Sequence, residues 1–192
     1  MIKPKTKKFN KGFTLIELMV ASSVFIIVML ISSGAILSVF DANQKSKSLR
    51  SVMDNLNLSM ESMTRSIRFG KDYHCGSTGT ITLPYSCNGS GANSITILDV
   101  SGVTVTYSLV NDANGIPRIQ RTSSATSYYM TSPDVKITNL KFYVYGAEPY
   151  AGGDVLQPRV IMVVGGYAGV KATTKSVFSL QTTISQRQFD FQ

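Results

Sequence analysis

From Phe13 to Phe40 this chain carries one formally charged side chain, Glu17, and residues 18–40 are 23 consecutive uncharged positions. As an α-helix that run spans about 34 Å at about 1.5 Å per residue, enough to cross a hydrocarbon core about 30 Å thick. A lone acid at the head of such a helix is costly, on the order of 2.5–3.5 kcal/mol at mid-membrane. It calls for a partner. The rest of the chain is then a domain carried by a membrane-competent helix.

Upstream, Met1 to Gly12 hold Lys3, Lys5, Lys7, Lys8, Lys11 and Pro4, with no acid and no apolar run. That is unlike the apolar core and small-residue cleavage site of a secretory signal peptide. The lysines read as topology information, positive residues staying cytoplasmic while the downstream domain is translocated. Without them the formal charge falls from +8 to +3, which weakens a nucleic-acid reading of the basic balance.

The stretch Lys11-Gly12-Phe13-Thr14-Leu15-Ile16-Glu17-Leu18-Met19-Val20 resembles the processing and N-methylation signal of type IV pilins and type II secretion pseudopilins. The resemblance implies cleavage by prepilin peptidase between Gly12 and Phe13, methylation of the new Phe13 amine, and retention of the apolar helix in the mature chain. It casts Glu17 as the assembly charge, pairing with the Phe13 amine of a neighbouring subunit. It implies other pilin or pseudopilin subunits, an inner-membrane assembly platform and the cytoplasmic (inner) membrane as partners. The expected location is single-pass in that membrane with the C-terminal domain outside, then a pilus or pseudopilus filament.

Four segments follow: a basic leader over 1–12, a transmembrane and filament-core helix over 13–40, an amphipathic continuation over 41–70, and an extracytoplasmic β-rich head over 71–192. In the continuation, Leu49, Val52, Met53, Leu56, Met60, Met63 and Ile67 recur at helical period, the stripe of a helix buried on one side. The Met content reads as packing, and Gly70 as a candidate C-terminal cap. Ser22, Ser23, Ser32, Ser33, Gly34 and Ala35 read either as ordinary tolerance of small residues or as a surface for close helix approach. Gly34 is also a site for local stretching of the helix.

Lys71 to Ser94, rich in Gly, Ser, Thr, Asn and Pro, reads as loop. Strands are expected over Ser94–Asp99, Val103–Val110, Ile116–Arg121, Val135–Tyr145, Arg159–Val164 and Thr174–Gln186, with turn chemistry at Asn111–Gly115 and a polar link after Arg121. In Val135–Tyr145 the alternation is mixed at first, so the face from Leu140 onward is the better core candidate. The order argues for an α+β class, a long N-terminal helix packed against an antiparallel β-sheet head, and the resemblance implies the pilin fold. Softer likenesses in Tyr107–Arg118, Ile137–Phe142 and Phe178–Arg187 resemble minor pilins and J-type pseudopilins.

For chemistry the chain offers little. Cys75 and Cys87 are the only cysteines and His74 the only histidine. In a translocated domain the pair reads as one disulfide. A catalytic thiol or a zinc site would lack a nucleophile–base geometry or a fourth ligand. Asn111–Gly115 lacks the distal Glu of a calcium loop, leaving Glu148 and Asp154 as a weak second candidate. Lys171 with Lys175, or Arg118 with Arg121, are the basic pairs for nucleic acid, but scattered lysines at +3 read as solvated surface. The expectation is therefore a structural filament subunit of the minor-pilin kind, with no enzymatic activity, no cofactor, no metal and no nucleic-acid partner. The alternatives are a minor pseudopilin of a type II secretion pseudopilus and a membrane-anchored extracytoplasmic enzyme or binding module.

Overall fold

The computed structural model describes residues 12–77, 79–124, 126–149, 153–169 and 175–188. The leader lysines therefore lie outside the described residues, as does Lys171. The chain divides between Asn43 and Gln44 into two compact units. One helix, α1 (Leu15–Phe69), belongs to both.

In the first unit α1 is apolar all round and exposed from Phe13 to Phe40. Ser22, Ser23 and Ser33 donate their hydroxyls back to the carbonyls of Met19, Val20 and Met29, so their polarity is satisfied within the helix. Helix continues through Gly34.

In the second unit α1 buries Val52, Leu56, Ser59, Met63 and Ile67. Ser59 occupies the stripe because its hydroxyl donates to the Met130 carbonyl at 2.8 Å. Leu49 and Met53 are more exposed than the sequence stripe implies. The helix stops where expected, but Gly70 is not a left-handed cap, since it is absent from the positive-φ glycines. What Gly70 supplies is space. A Cβ there would lie 3.0 Å from the Ser66 carbonyl oxygen and 3.1 Å from both Ile97 Cδ1 and the Leu98 oxygen. The terminal carbonyls are capped instead by the buried Tyr73 hydroxyl, which donates to Ile67 at 2.7 Å.

Among the described residues eight strands follow: β1 (Lys71–Cys75), β2 (Ser94–Leu98), β3 (Thr104–Asn111), β4 (Pro117–Ser123), β5 (Thr126–Tyr129), β6 (Val135–Tyr145), β7 (Arg159–Ala168) and β8 (Ser176–Ser185). They form not one sheet but two, β1-β2-β3-β4-β5 and β6-β7-β8, antiparallel throughout. Apolar faces of both sheets and of α1 meet in a single core that includes Leu56, Met63, Ile97, Tyr107, Phe142 and Met162.

Two strands depart from the sequence reading. β1 lies in the segment read as loop, and β5 in the segment read as a polar link. β1 hides its period because Asp72 takes φ 54° and the register shifts between Lys71 and His74. Tyr73, His74 and Cys75 are then all buried, so no alternation shows. β5 is an edge strand exposed along its whole length, so burial imposes no pattern on it.

The mixed alternation in β6 also has a cause. A register shift between Ile137 and Asn139 inserts one residue, which flips the faces of the strand. Val135 and Ile137 on one side of the bulge, and Leu140, Phe142 and Val144 on the other, are all buried.

Candidate functional site

The N-terminal segment begins with Gly12, about which a Cβ would find open space, and with Phe13, 84% exposed. Thr14 precedes the first helical residue, and its Oγ1 accepts the Glu17 amide at 3.3 Å. This is the Ncap-to-N3 arrangement of a helix start, with an acid at the third helical position. The spacing Thr14-Leu15-Ile16-Glu17 carries that signal in sequence and was missed. Glu17 therefore sits in the first turn of α1, where the helix macrodipole favours negative charge. Downstream, α1 is the one described helix long and apolar enough to cross a membrane, with mean hydropathy 2.5 in its most apolar window.

In the head, Cys75 and Cys87 are joined in a disulfide, Cα atoms 5.8 Å apart. The bridge ties down a strap that pairs with both sheets. Tyr85 exchanges backbone hydrogen bonds with β1, its oxygen accepting the Cys75 amide and its amide donating to Tyr73. Two residues on, the Cys87 amide donates to Val144, and Ala92 and Phe142 exchange both bonds at 2.8 Å. The strap thus satisfies one edge of each sheet. His74, buried beside it, holds Nδ1 2.6 Å from the Leu83 carbonyl oxygen and so carries its proton there.

The acids considered for calcium are engaged elsewhere. Asp112 Oδ1 accepts the amides of Asn114 at 2.9 Å and Ile116 at 3.0 Å, and Oδ2 lies 3.6 Å from the Arg118 guanidinium. The Ile116 amide above all, then Asn114 and Arg118, holds the Asp112 carboxyl below its ordinary range. For Glu148, burial pushes upward, but the Ser86 hydroxyl at 2.6 Å and the Ser86 amide prevail and keep it lowered. Asp154 Oδ1 accepts the Leu156 amide. Among the described residues no three His, Cys, Asp or Glu side chains come together.

The basic residues are likewise built in. Arg118 donates to the Thr131 carbonyl and stacks 4.4 Å from the Tyr129 ring centre. Arg121 lies 5.7 Å from that of Tyr128. Lys175 lies 3.8 Å from that of Tyr167.

An apolar N-terminal helix feeding a disulfide-tied head of antiparallel sheets defines an anchored α+β protein. Residues 7–33 match the family model of the prokaryotic N-terminal methylation motif. That motif supports a precursor of the type IV pilin or pseudopilin type. The match takes in Gly12, Phe13, Thr14 and Glu17 and ends before the head. No curated protein and no solved structure matches the chain.

Proposed function

We propose that this protein is a structural subunit of a type IV pilus-like filament, of the minor-pilin kind. Prepilin peptidase cuts it between Gly12 and Phe13 and methylates the Phe13 amine. The observation that carries the reading is the N-terminal segment itself. It joins the methylation motif to a helix whose large apolar side chains from Phe13 to Phe40 are all exposed. That much apolar surface requires lipid or other helices around it. The mature helix first anchors the subunit in the cytoplasmic membrane, head outside, and then enters the filament core.

Glu17, in the first turn of α1, lies four residues from Phe13, which precedes the Thr14 cap. Within one chain the new amine and the carboxylate partly neutralise each other. In the filament the carboxylate pairs with the amine of the neighbouring subunit. A buried charge left without a partner is strongly destabilising, so the pairing sets axial register. On this reading the head performs no chemistry and the protein is not an enzyme.

The test is the mass of the N-terminal peptide from the membrane fraction, which should begin at Phe13 with one added methyl. Gly12→Leu should leave the uncut precursor. Glu17→Ala should still be inserted and cleaved but enter sheared fibres at least about tenfold less, the effect of losing roughly 1.4 kcal/mol. Normal incorporation of that variant would refute the pairing. Surface exposure on shed fibres, against dependence on a secretin and secretion ATPase, separates a pilus from a secretion pseudopilus.

A further inference from the structure

A groove of about 900 Å³ in the head is walled by the stretch of α1 that starts at Gln44 and by adjoining ends of β6, β7 and β8. Three lysines from three elements converge on it: Lys47 of α1, Lys136 at the start of β6 and Lys175 just before β8. Tyr167 of β7 stands opposite Lys136 in the ladder. Its ring centre lies 5.8 Å from the Lys136 Nζ and 3.8 Å from that of Lys175. Those ring contacts aside, none of the three ammonium groups has an ion pair or a side-chain hydrogen bond among the described residues. Asp134, the one acid among the described lining residues, accepts the Ser132 hydroxyl at 3.3 Å and pairs with no lysine. An ammonium offers three donors, and a ring face meets only part of that capacity. Three positive charges against one negative around a single groove repel one another unless an anion enters it.

The place of the groove along α1 selects the anion. Gln44 and Lys47 follow Phe40, the last residue of the apolar run, by four and seven positions, which is about 6 and 10 Å of helix. A bilayer about 40–45 Å thick around a core of about 30 Å leaves a headgroup layer about 5–7 Å deep on each side. The α1 wall of the groove therefore begins at headgroup depth, and side chains on a helix lean toward its N-terminus, here back toward the bilayer. Lysine stems and a tyrosine ring suit that layer, and an ammonium binds phosphate as a point charge.

We propose that the Lys47–Lys136–Lys175 groove binds the phosphate of an anionic phospholipid in the leaflet next to the head. This site rests on the membrane-anchored reading of α1 given above. The bound lipid holds the head on the leaflet until the subunit leaves the membrane, when the contact is lost.

The experiment uses the full chain, floated with phosphatidylcholine vesicles and then, in detergent micelles, titrated with phosphatidylglycerol or phosphatidylcholine and read by native mass spectrometry. A lysine near an anionic lipid surface is worth about a fivefold change in affinity. The parent should float and should retain phosphatidylglycerol at least about fivefold better than phosphatidylcholine, and Lys136→Gln combined with Lys175→Gln should weaken that retention about 25-fold. Lys136→Arg combined with Lys175→Arg should keep it. Lys71→Gln, at an exposed lysine outside the groove, should leave it unchanged. Equal retention of the two lipids by a floating parent overturns the inference, as does an equal loss in Lys71→Gln. A loss shared by the arginine pair marks a packing role and overturns it too. If inorganic phosphate or duplex DNA binds the lipid-free chain through the same two lysines, the ligand is a free anion and the inference fails. A parent that does not float sinks the membrane-anchored reading and this site with it.

Discussion

Gly165 and Gly166 are neighbours in β7, opposite the bulge of β6, and the structure assigns their alanine variants opposite fates. A Cβ on Gly166 would press on the carbonyl oxygen of Lys136, lie 2.8 Å from Phe178 Cζ and 3.1 Å from Ile137 Cα. Two of those three atoms are backbone, so relief requires β6 and β7 to separate where the bulge already crowds them. Overpacking commonly costs about 1–3 kcal/mol, and rigid neighbours put Gly166→Ala at about 3. A Cβ on Gly165 would meet Asn139 Cβ at 3.6 Å and the Phe178 oxygen at 3.8 Å, which is ordinary contact. Gly165→Ala should change stability by no more than about 1 kcal/mol, since it also removes a glycine from a strand interior. In a domain of this size about 2–4 °C corresponds to 1 kcal/mol. Thermal unfolding of the 44–192 head by circular dichroism should therefore place Gly166→Ala about 6–12 °C below the parent and Gly165→Ala within about 4 °C. Equal midpoints for the two variants would refute the packing argument at the bulge.

Replacing Cys75 and Cys87 together by Ala opens a loop of sequence separation 12 and should cost about 3 kcal/mol by loop-closure entropy. Hydrogen exchange at the strap amides of positions 87 and 92, which donate to β6, should accelerate more than exchange within the β6–β7 ladder; unchanged protection there would mean that the strap holds without its bridge. For Asp112 the folded carboxyl is lowered, so it contributes stability above the unfolded value near 3.9 and loses it as pH falls through the folded value. The melting-temperature gap between parent and Asp112→Asn should accordingly be flat from pH 5 to 8 and close as the pH falls below about 4. A gap that widens on acidification would contradict the sign.

What could be read from the chain divides along physical lines. In residues 13–40 one solvent acts on every side, so uniform hydropathy is the whole signal, and Glu17 stands out as the exception. In the second half of α1 the 3.6-residue stripe marked Val52, Leu56, Met63 and Ile67, while Ser59 was hidden because a distant carbonyl, that of Met130, satisfies it. β8 alternated cleanly, its Phe178 and Ile184 buried and Val177 exposed, because the strand has one dry face and no bulge. β1, β5 and the turnover in β6 were not legible. β1 and the turnover in β6 depend on partners far along the chain, the strap over β1 and the glycine pair facing β6, whereas β5 is an exposed edge on which burial imposes no pattern. That Tyr107 faces Arg121 was likewise out of reach, since the two meet only once β3 and β4 align them.

The strap also explains why the only two cysteines are where they are. Two sheets have four edge strands, and each unpaired edge invites pairing with another chain. In a filament, where many heads are held side by side, that hazard is multiplied by local concentration. Residues 85–92 occupy the β1 edge and the β6 edge at once, and the bridge from Cys75 on β1 to Cys87 fixes the strap between them. Among the described residues the edges left open are β5, only four residues long, and β8, whose exposed side chains after Val177 are Ser179, Gln181, Thr183 and Ser185. A short strand and a polar one are poor templates for strand addition. The head therefore offers strand addition little purchase, and in the proposed filament contacts between heads fall to side chains.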